Sequence, residues 1–239
     1  MRIAIINPNT TKSMTDLVVA SAARSSRPDT DLVGLTASSG VPSIESNIDE
    51  VSGALGVLEL VKQSEATMAP PDAYVIACFG DTGLGAAREA ARGPVIGMTE
   101  AALCTAALLA HRFTIVTFPM RTLAQSDQAV RALGLEHRCS VRAIDVPVEA
   151  VHSGALHLFD TFHAESVLAR KADNAEAIIL GCAGCADLVE PLEAAVGLPV
   201  VEGVAAAVAF AEGLVAQGLS TSRAGTWAYE PSAGQPVPL

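Results

Sequence analysis

Residues 72–109 read DAYVIACFGDTGLGAAREAARGPVIGMTEAALCTAALL, and residues 176–214 read EAIILGCAGCADLVEPLEAAVGLPVVEGVAAAVAFAEGL. In each copy an acidic residue opens an apolar run that reaches a cysteine six positions later, Cys78 in the first copy and Cys182 in the second. A turn of small residues, a helix-like stretch, a Gly-Pro or Leu-Pro pair and a second short apolar run then follow. The pattern predicts an internal duplication in which the two cysteines occupy equivalent positions.

The starts of the two halves are also alike, although more weakly. RIAIINPNTT, from Arg2, is similar to RFTIVTFPMR, from Arg112, which aligns Asn7 with Thr117. Short runs rich in Val and Ile alternate with Ala-rich stretches of helical period, the pattern of parallel strands joined by crossover helices. The predicted strands cover residues 2–6, 31–35, 73–77, 95–97, 113–117, 140–144, 177–180 and 200–201. The predicted helices cover residues 11–24, 49–65, 84–91, 99–111, 123–133, 155–174, 186–196 and 204–217.

These elements predict an α/β protein of two pseudosymmetric, doubly wound lobes with parallel sheets. We expect the first lobe to contain residues 1–98 and 204–219 and the second to contain residues 99–203. Residues 220–239 form a C-terminal tail rich in Gly, Pro and Ser. Its Trp and Tyr either anchor it to the body or to a neighbouring subunit, or the tail is disordered.

The composition excludes several kinds of partner. The chain of 239 residues has 15 Lys and Arg against 26 Asp and Glu and only 4% aromatic residues, so binding of nucleic acid is not expected. The longest nearly uncharged runs, 101–110 and 204–211, are far shorter than the roughly 20 residues of a membrane-spanning helix. The N-terminus lacks the apolar core of a signal peptide. Five cysteines, an odd number, indicate reduced thiols, and we expect a cytoplasmic protein with a small, polar substrate.

Neither a metal nor a nucleotide is predicted. The glycines of GDTGLG lack the order of a dinucleotide fingerprint, and the histidines show no metal-ligand spacing with the cysteines. We expect each imidazole to be hydrogen-bonded within the protein or exposed to solvent, with no part in the site; the histidines are His111, His137, His152, His157 and His163.

Cys78 and Cys182 are the candidate reactive thiols. Both follow predicted parallel strands, and ligands bind at the carboxyl ends of such strands. Each precedes a glycine-containing turn and a helix, whose free N–H groups lower the pKa of a thiol and can hold an anion. Cys104 and Cys139 are interpreted as packing residues, one within an Ala-Leu helix and the other in a surface connection.

Two thiols related by pseudosymmetry suit one reaction class. One thiol removes a proton from one face of a carbon while the other delivers a proton to the opposite face, and the roles exchange in the reverse direction. This reaction is a racemisation that needs no cofactor. The backbone amides after each cysteine would hold the developing enolate.

The sequence resembles the hydantoin racemase branch of the aspartate/glutamate racemase superfamily over roughly residues 1–217. The resemblance rests on five motifs: INPNT at 6–10, PSIES at 42–46, ACFGDTGL at 77–84, PVIGMTEAA at 94–102 and LGCAG at 180–184. It implies a cofactor-independent, two-thiol racemase of 5-substituted hydantoins or allantoin, with the active site in the cleft between the lobes. We also expect a homo-oligomer.

The resemblance also assigns the site residues. Cys78 and Cys182 become the acid/base pair, and Asn9 and Thr117 become polar groups that contact the substrate ring. Around them, six further substrate-binding candidates flank the thiols: Phe79, Gly80, Asp81, Thr82, Ala183 and Gly184. Asp81 is a ligand contact or a helix cap, and Ile44 belongs to a loop that is either a lid or an ordinary connection. Thr82 stands where Pro is typical, and Cys185 stands where Met is typical.

Three alternatives stay open at this point. Cys182 and Cys185 form a C-x-x-C motif, which suits a thiol-disulfide oxidoreductase but leaves Cys78 and the duplication unexplained. A decarboxylase of the arylmalonate type would use the same fold with a single active thiol. A binding module without catalysis would tolerate the loss of both thiols.

Overall fold

The computed structural model describes residues 1–146 and 157–229. Within these ranges lie eight strands: β1 Arg2–Asn7, β2 Asp31–Thr36, β3 Ala73–Ile76, β4 Val95–Gly97, β5 Phe113–Thr117, β6 Cys139–Ala143, β7 Ala177–Gly181 and β8 Val200–Glu202. The α-helices are α1 Lys12–Ser25, α2 Asn47–Glu65, α3 Leu84–Ala90, α4 Met98–Leu109, α5 Leu123–Ala132, α6 His157–Leu168, α7 Val189–Val196 and α8 Gly203–Ala216. Short 3₁₀ helices cover Met120–Thr122 and Ala183–Leu188, and a π-helical turn covers Ala169–Asp173.

The strands form two four-stranded parallel sheets of the same topology. The strand order is β2-β1-β3-β4 in the first sheet and β6-β5-β7-β8 in the second. The central pairs have corresponding registers, with Ile3 opposite Ala73 in the first sheet and Phe113 opposite Ala177 in the second. This repetition confirms the predicted fold class of two related α/β lobes.

Apolar helix faces cover the sheets and also join the lobes. Ile5 and Val75 of the first sheet pack in one cluster with Val204 and Val208 of α8. Helix α4 belongs to both lobes, because Met98 lies in that cluster while its next turns pack on the second sheet. These contacts agree with residues 204–219 joining the first lobe. The lobe boundaries themselves stay a prediction.

Most predicted elements end within two residues of the observed ones. The predicted helix at 155–174 begins outside the described residues, and the part within them starts at His157 and closes with the π-helical turn. The helix predicted to start at Ala186 is preceded by a 3₁₀ helix from Ala183. The interpretation of Cys139 as a packing residue is confirmed, since it packs on the core of the second lobe, although it begins β6 instead of lying in a surface connection. The same interpretation was wrong for Cys104, which lies within the predicted helix, α4, but is exposed.

The described part of the C-terminal tail lies on the first lobe. The guanidinium of Arg88 stacks 5.0 Å from the ring centroid of Trp227, and Arg223 donates to the carbonyl oxygens of Arg88, Ala91 and Trp227. These contacts cover α3. Over the described residues, the helices are all too short or too polar to span a bilayer.

Candidate active site

The two thiols occupy equivalent places at the carboxyl ends of equivalent strands. Cys78 lies two residues beyond the end of β3, and Cys182 lies one residue beyond the end of β7. Both are partly exposed, and both line one cleft between the lobes. The duplication seen in the sequence therefore brings two sulfur atoms from different lobes to a shared space.

The surroundings of Cys78 keep it protonated. Burial raises the pKa of its thiol to about 12, and the Thr82 hydroxyl, 3.4 Å from Cys78 Sγ, opposes the rise. The negative charge of Glu50 adds to the rise. The expectation of a lowered pKa was wrong for this cysteine because burial outweighs the contacts that oppose the rise, and α3 begins only at Leu84, beyond a turn.

The surroundings of Cys182 have the opposite effect. The Cys185 thiol hydrogen-bonds to the Cys182 side chain and lowers its pKa, with help from the Gly184 backbone N–H. Cys185 is 1% exposed, and the same hydrogen bond raises the pKa of Cys185. The pair therefore favours a negative charge on Cys182 over one on Cys185. Opposite shifts in one cleft are typical of an acid and a base with separate roles.

Five other predicted site residues also line the cleft: Asn9, Ile44, Phe79, Thr117 and Ala183. The Oδ1 atom of Asn9 accepts the Asn7 side-chain amide at 2.9 Å and the Thr11 backbone N–H at 2.9 Å. These bonds hold the buried side chain in place and leave its own amide group as a donor. Thr117 Oγ1 donates to the Gly181 carbonyl at 3.2 Å, next to Cys182.

Four predicted contact residues lie behind the thiols instead of along the cleft: Gly80, Asp81, Thr82 and Gly184. The Gly80 N–H donates to Thr99 Oγ1 at 2.7 Å, so this amide is not available to an enolate. Asp81 caps α4, because its carboxylate accepts the backbone N–H groups of Thr99 at 2.8 Å and Glu100 at 2.9 Å. Burial raises the pKa of Asp81 to about 7 although these bonds oppose the rise.

Sequence reasoning missed eight cleft residues: Met14, Ser43, Ala77, Phe118, Thr122, Gln125, Ser126 and Gly181. It also missed Glu50, which lies on α2 and accepts hydrogen bonds from Thr82 and from Gln125 of the other lobe. The PSIES motif that contains Ser43 was a usable signal, since it had already drawn attention to Ile44. The polar residues of α5 gave no such signal in the sequence, because they reach the cleft only where the two lobes come together.

Among residues 1–146 and 157–229, no three His, Cys, Asp or Glu side chains converge as metal ligands would. The cleft presents the thiols of Cys78 and Cys182, the hydroxyl of Thr117 and the amide of Asn9.

Two parallel-sheet lobes with one thiol each at a shared cleft define a class of two-lobed α/β proteins whose site lies between the lobes. Residues 3–211 match the family model of Asp/Glu/Hydantoin racemase. The chain is 41% identical to hydantoin racemase of Rhizobium meliloti over 96% of this chain and 95% of that protein. Its structure is similar to allantoin racemase from Klebsiella pneumoniae, with TM-score 0.93, 41% identity and coverage of 97% of this chain and 94% of that one. Allantoin racemase from Pseudomonas fluorescens gives TM-score 0.92 and 37% identity over 97% of this chain and 98% of that one.

The chain belongs to the Asp/Glu/Hydantoin racemase family. It is a racemase and thus an isomerase, as the resemblance of its cysteine motifs implied. This class replaces the thiol-disulfide oxidoreductase that the C-x-x-C motif left open. In this chain the second cysteine of that motif, Cys185, hydrogen-bonds to the first.

Proposed function

We propose that this racemase inverts the C5 carbon of 5-substituted hydantoins, allantoin included, by proton transfer between Cys78 and Cys182. Allantoin is a hydantoin with a ureido group at C5, so the named relatives act on one chemical class of ring. The observation that carries the proposal is the pair of thiols at equivalent strand ends, facing one cleft with opposite pKa shifts.

The proposed reaction starts from a Cys182 thiolate and a Cys78 thiol. The thiolate takes the C5 proton from one face of the ring, and the electron pair of the broken C–H bond moves into the neighbouring carbonyl to form an enolate. Cys78 then donates its proton to the opposite face, so that Cys182 ends as the thiol and Cys78 as the thiolate. The opposite enantiomer follows the same steps in reverse.

The residues that line the cleft supply the groups that are proposed to bind the substrate ring. The side-chain amide of Asn9 and the hydroxyl of Thr117 are proposed to bind the polar edge of the ring. With the Gly80 amide occupied, the backbone N–H groups of Phe79 and Ala183 become the candidates for the enolate oxygen. Ile44 is proposed to cover the substituent at C5, as the apolar residue by which its loop lines the cleft.

The proposal is tested with single enantiomers of several 5-substituted hydantoins and of allantoin, followed by polarimetry. We expect loss of optical rotation with the wild-type enzyme, and rates at least about 100-fold lower in Cys78→Ser and in Cys182→Ser, since a hydroxyl is too weak an acid or base near neutral pH. Cys104→Ser, at an exposed position on α4, is the matched control. Near-normal racemisation by either active-site variant would refute the two-thiol scheme. Release of CO₂ from arylmalonates, without racemisation, would favour the decarboxylase.

Two further expectations stay predictions: a cytoplasmic location and a homo-oligomeric state. Exposed apolar side chains suit the second. Ile48, Val51 and Leu55 lie on successive turns of α2 and are 82%, 74% and 58% exposed.

A further inference from the structure

The hydroxyl of Thr82 lies between two titratable side chains. Its Oγ1 atom donates to Glu50 Oε1 at 2.9 Å and lies 3.4 Å from Cys78 Sγ. Glu50 comes from the first turn of α2, whereas Thr82 and Cys78 follow β3. The three groups thus form a continuous chain from the sulfur to a carboxylate. Thr82 itself is 1% exposed, so the chain passes through the interior of the first lobe.

Glu50 is a carboxylate with a perturbed affinity for protons. Burial raises its pKa, while hydrogen bonds from Thr82 and Gln125 oppose the rise. It is only partly buried, so its outer side can exchange a proton with water. Asp49 is the other charged group that acts on Glu50, and it adds to the rise. Cys78 faces Glu50, Cys182 and Asp81, all of which disfavour its thiolate.

The proposed two-thiol reaction requires a group that exchanges protons with the thiols between turnovers. Each turnover leaves the two thiols with exchanged protonation states, so a second molecule of the same enantiomer finds the base protonated and the acid deprotonated. The enzyme must return to its starting state between turnovers. A thiol such as Cys78, enclosed by protein apart from the cleft, meets little water, so a route for its proton through the protein speeds this return.

We propose that Glu50 is the proton-exchange partner of Cys78, acting through the hydroxyl of Thr82. This inference rests on the proposed two-thiol function. After a turnover in which Cys78 has acted as the base and holds the proton taken from the substrate, its S–H bond breaks as an O–H bond forms at Thr82, and the original Thr82 proton passes to Glu50 Oε1. The products are a thiolate and a neutral carboxyl group, and the reverse transfer restores the thiol. Glu50 and Thr82 are therefore positioning residues, since neither touches the reacting carbon.

Site-resolved alkylation tests the chain without relying on turnover. The reagent is iodoacetamide, and mass spectrometry follows modification of Cys78 between about pH 7 and 9.5, with Cys182 as an internal reference. Glu50→Gln removes a negative charge, so we expect Cys78 to react several-fold to about tenfold faster at a given pH. Thr82→Val removes the hydroxyl that donates to the Cys78 thiolate when Glu50 holds the proton, so Cys78 should react several-fold slower. Thr82→Ser keeps the hydroxyl and should stay within about twofold of wild type, and Glu59→Gln, at an exposed position on the same helix, should change nothing.

Racemisation kinetics supply the second measurement. The return step follows product release, so Thr82→Val should lower kcat more than kcat/KM. Opposite alkylation shifts in Glu50→Gln and Thr82→Val, confined to Cys78, support the relay. Unchanged Cys78 reactivity in both variants, equal shifts at Cys182, or equal loss in kcat and kcat/KM would overturn it. If wild-type enzyme racemises none of the hydantoins, the proposed function fails while the alkylation result still decides whether Glu50 and Cys78 are coupled.

Discussion

The carboxylate of Asp81 accepts the backbone N–H of Thr99 at 2.8 Å, and with it the start of α4 is tied to the turn that follows Cys78. Asp81 has a left-handed backbone conformation, with φ of 57°, which Asp tolerates better than most residues. The turn and the helix that joins the two lobes are therefore held together by one side chain.

Replacement of this cap should cost stability and leave substrate affinity intact. Asp81→Ala leaves two backbone N–H groups of α4 without their acceptor, so we expect a loss of about 1–2 kcal/mol and a Tm lower by roughly 2–8 °C. Asp16→Ala, which removes an exposed ion pair with Lys12, is the control and should have little effect. Thermal unfolding measures both. A raised KM for hydantoin, measured well below the Tm of the variant, would show that Asp81 contacts the substrate.

A second prediction concerns the close approach of Gly181 to Thr117. A Cβ atom on residue 181 would lie 2.5 Å from Thr117 Cβ and 2.7 Å from its Cα, so β5 and β7 would have to separate next to Cys182. Gly181→Ala should lose about 1–3 kcal/mol of stability by overpacking and lose activity through displacement of Thr117. Gly85→Ala on α3, where a Cβ meets nothing within 4 Å, should be neutral or stabilising. Full activity in Gly181→Ala would show that the position of Thr117 is unimportant.

The strands and the place of the thiols could be predicted because short apolar runs and the duplication are local signals. β4 and β5 match their predicted bounds, Val95–Gly97 and Phe113–Thr117. The role of Asp81 could not be assigned from local sequence, because the helix that it caps begins 17 residues later at Met98. Glu50 and Gln125 were missed for the same reason, since they are 75 residues apart and meet only when the lobes do.

The protonation of the thiols was predicted only in part. Sequence placed both cysteines before a turn and a helix, which suggested low pKa values for both. The structure separates them, because a hydrogen bond from Cys185 lowers the pKa of Cys182, whereas burial and, to a smaller extent, the carboxylate of Glu50 raise the pKa of Cys78. A donor three residues along the chain is visible in sequence as a C-x-x-C motif, but a charge from another helix is not.

The opposite pKa shifts of Cys78 and Cys182 predict the order in which the two thiols react. Thiolates are the nucleophiles, so at about pH 7.5 iodoacetamide should modify Cys182 at least about tenfold faster than Cys78. As the pH rises, the Cys78 rate should keep increasing toward pH 12, while the Cys182 rate levels off at a lower pH. Cys185→Ala removes the donor and should slow alkylation of Cys182 at a fixed pH. Faster modification of Cys78 than of Cys182 would contradict the assignment.

Removal of metal ions should leave the activity unchanged, because acid/base chemistry by two thiols requires none. Prolonged dialysis against a chelator is the test, with activity measured before and after addition of divalent metals. Alkylation of the thiols, in contrast, should inactivate the enzyme, and bound substrate should slow it. Activity that is lost on dialysis and restored by a metal would reject the cofactor-independent mechanism.

Hydrogen exchange at C5 in deuterated water, followed by proton NMR in Cys78→Ser and Cys182→Ser, tests the central claim most directly. Each variant retains one of the two cleft thiols, which in the proposed scheme reaches only one face of the ring. We predict slow exchange of one enantiomer without inversion, with the opposite enantiomer exchanged by the other variant. Exchange of the same enantiomer by both variants, or of both enantiomers at similar rates by either one, would contradict the proposal that Cys78 and Cys182 serve opposite faces of the carbon.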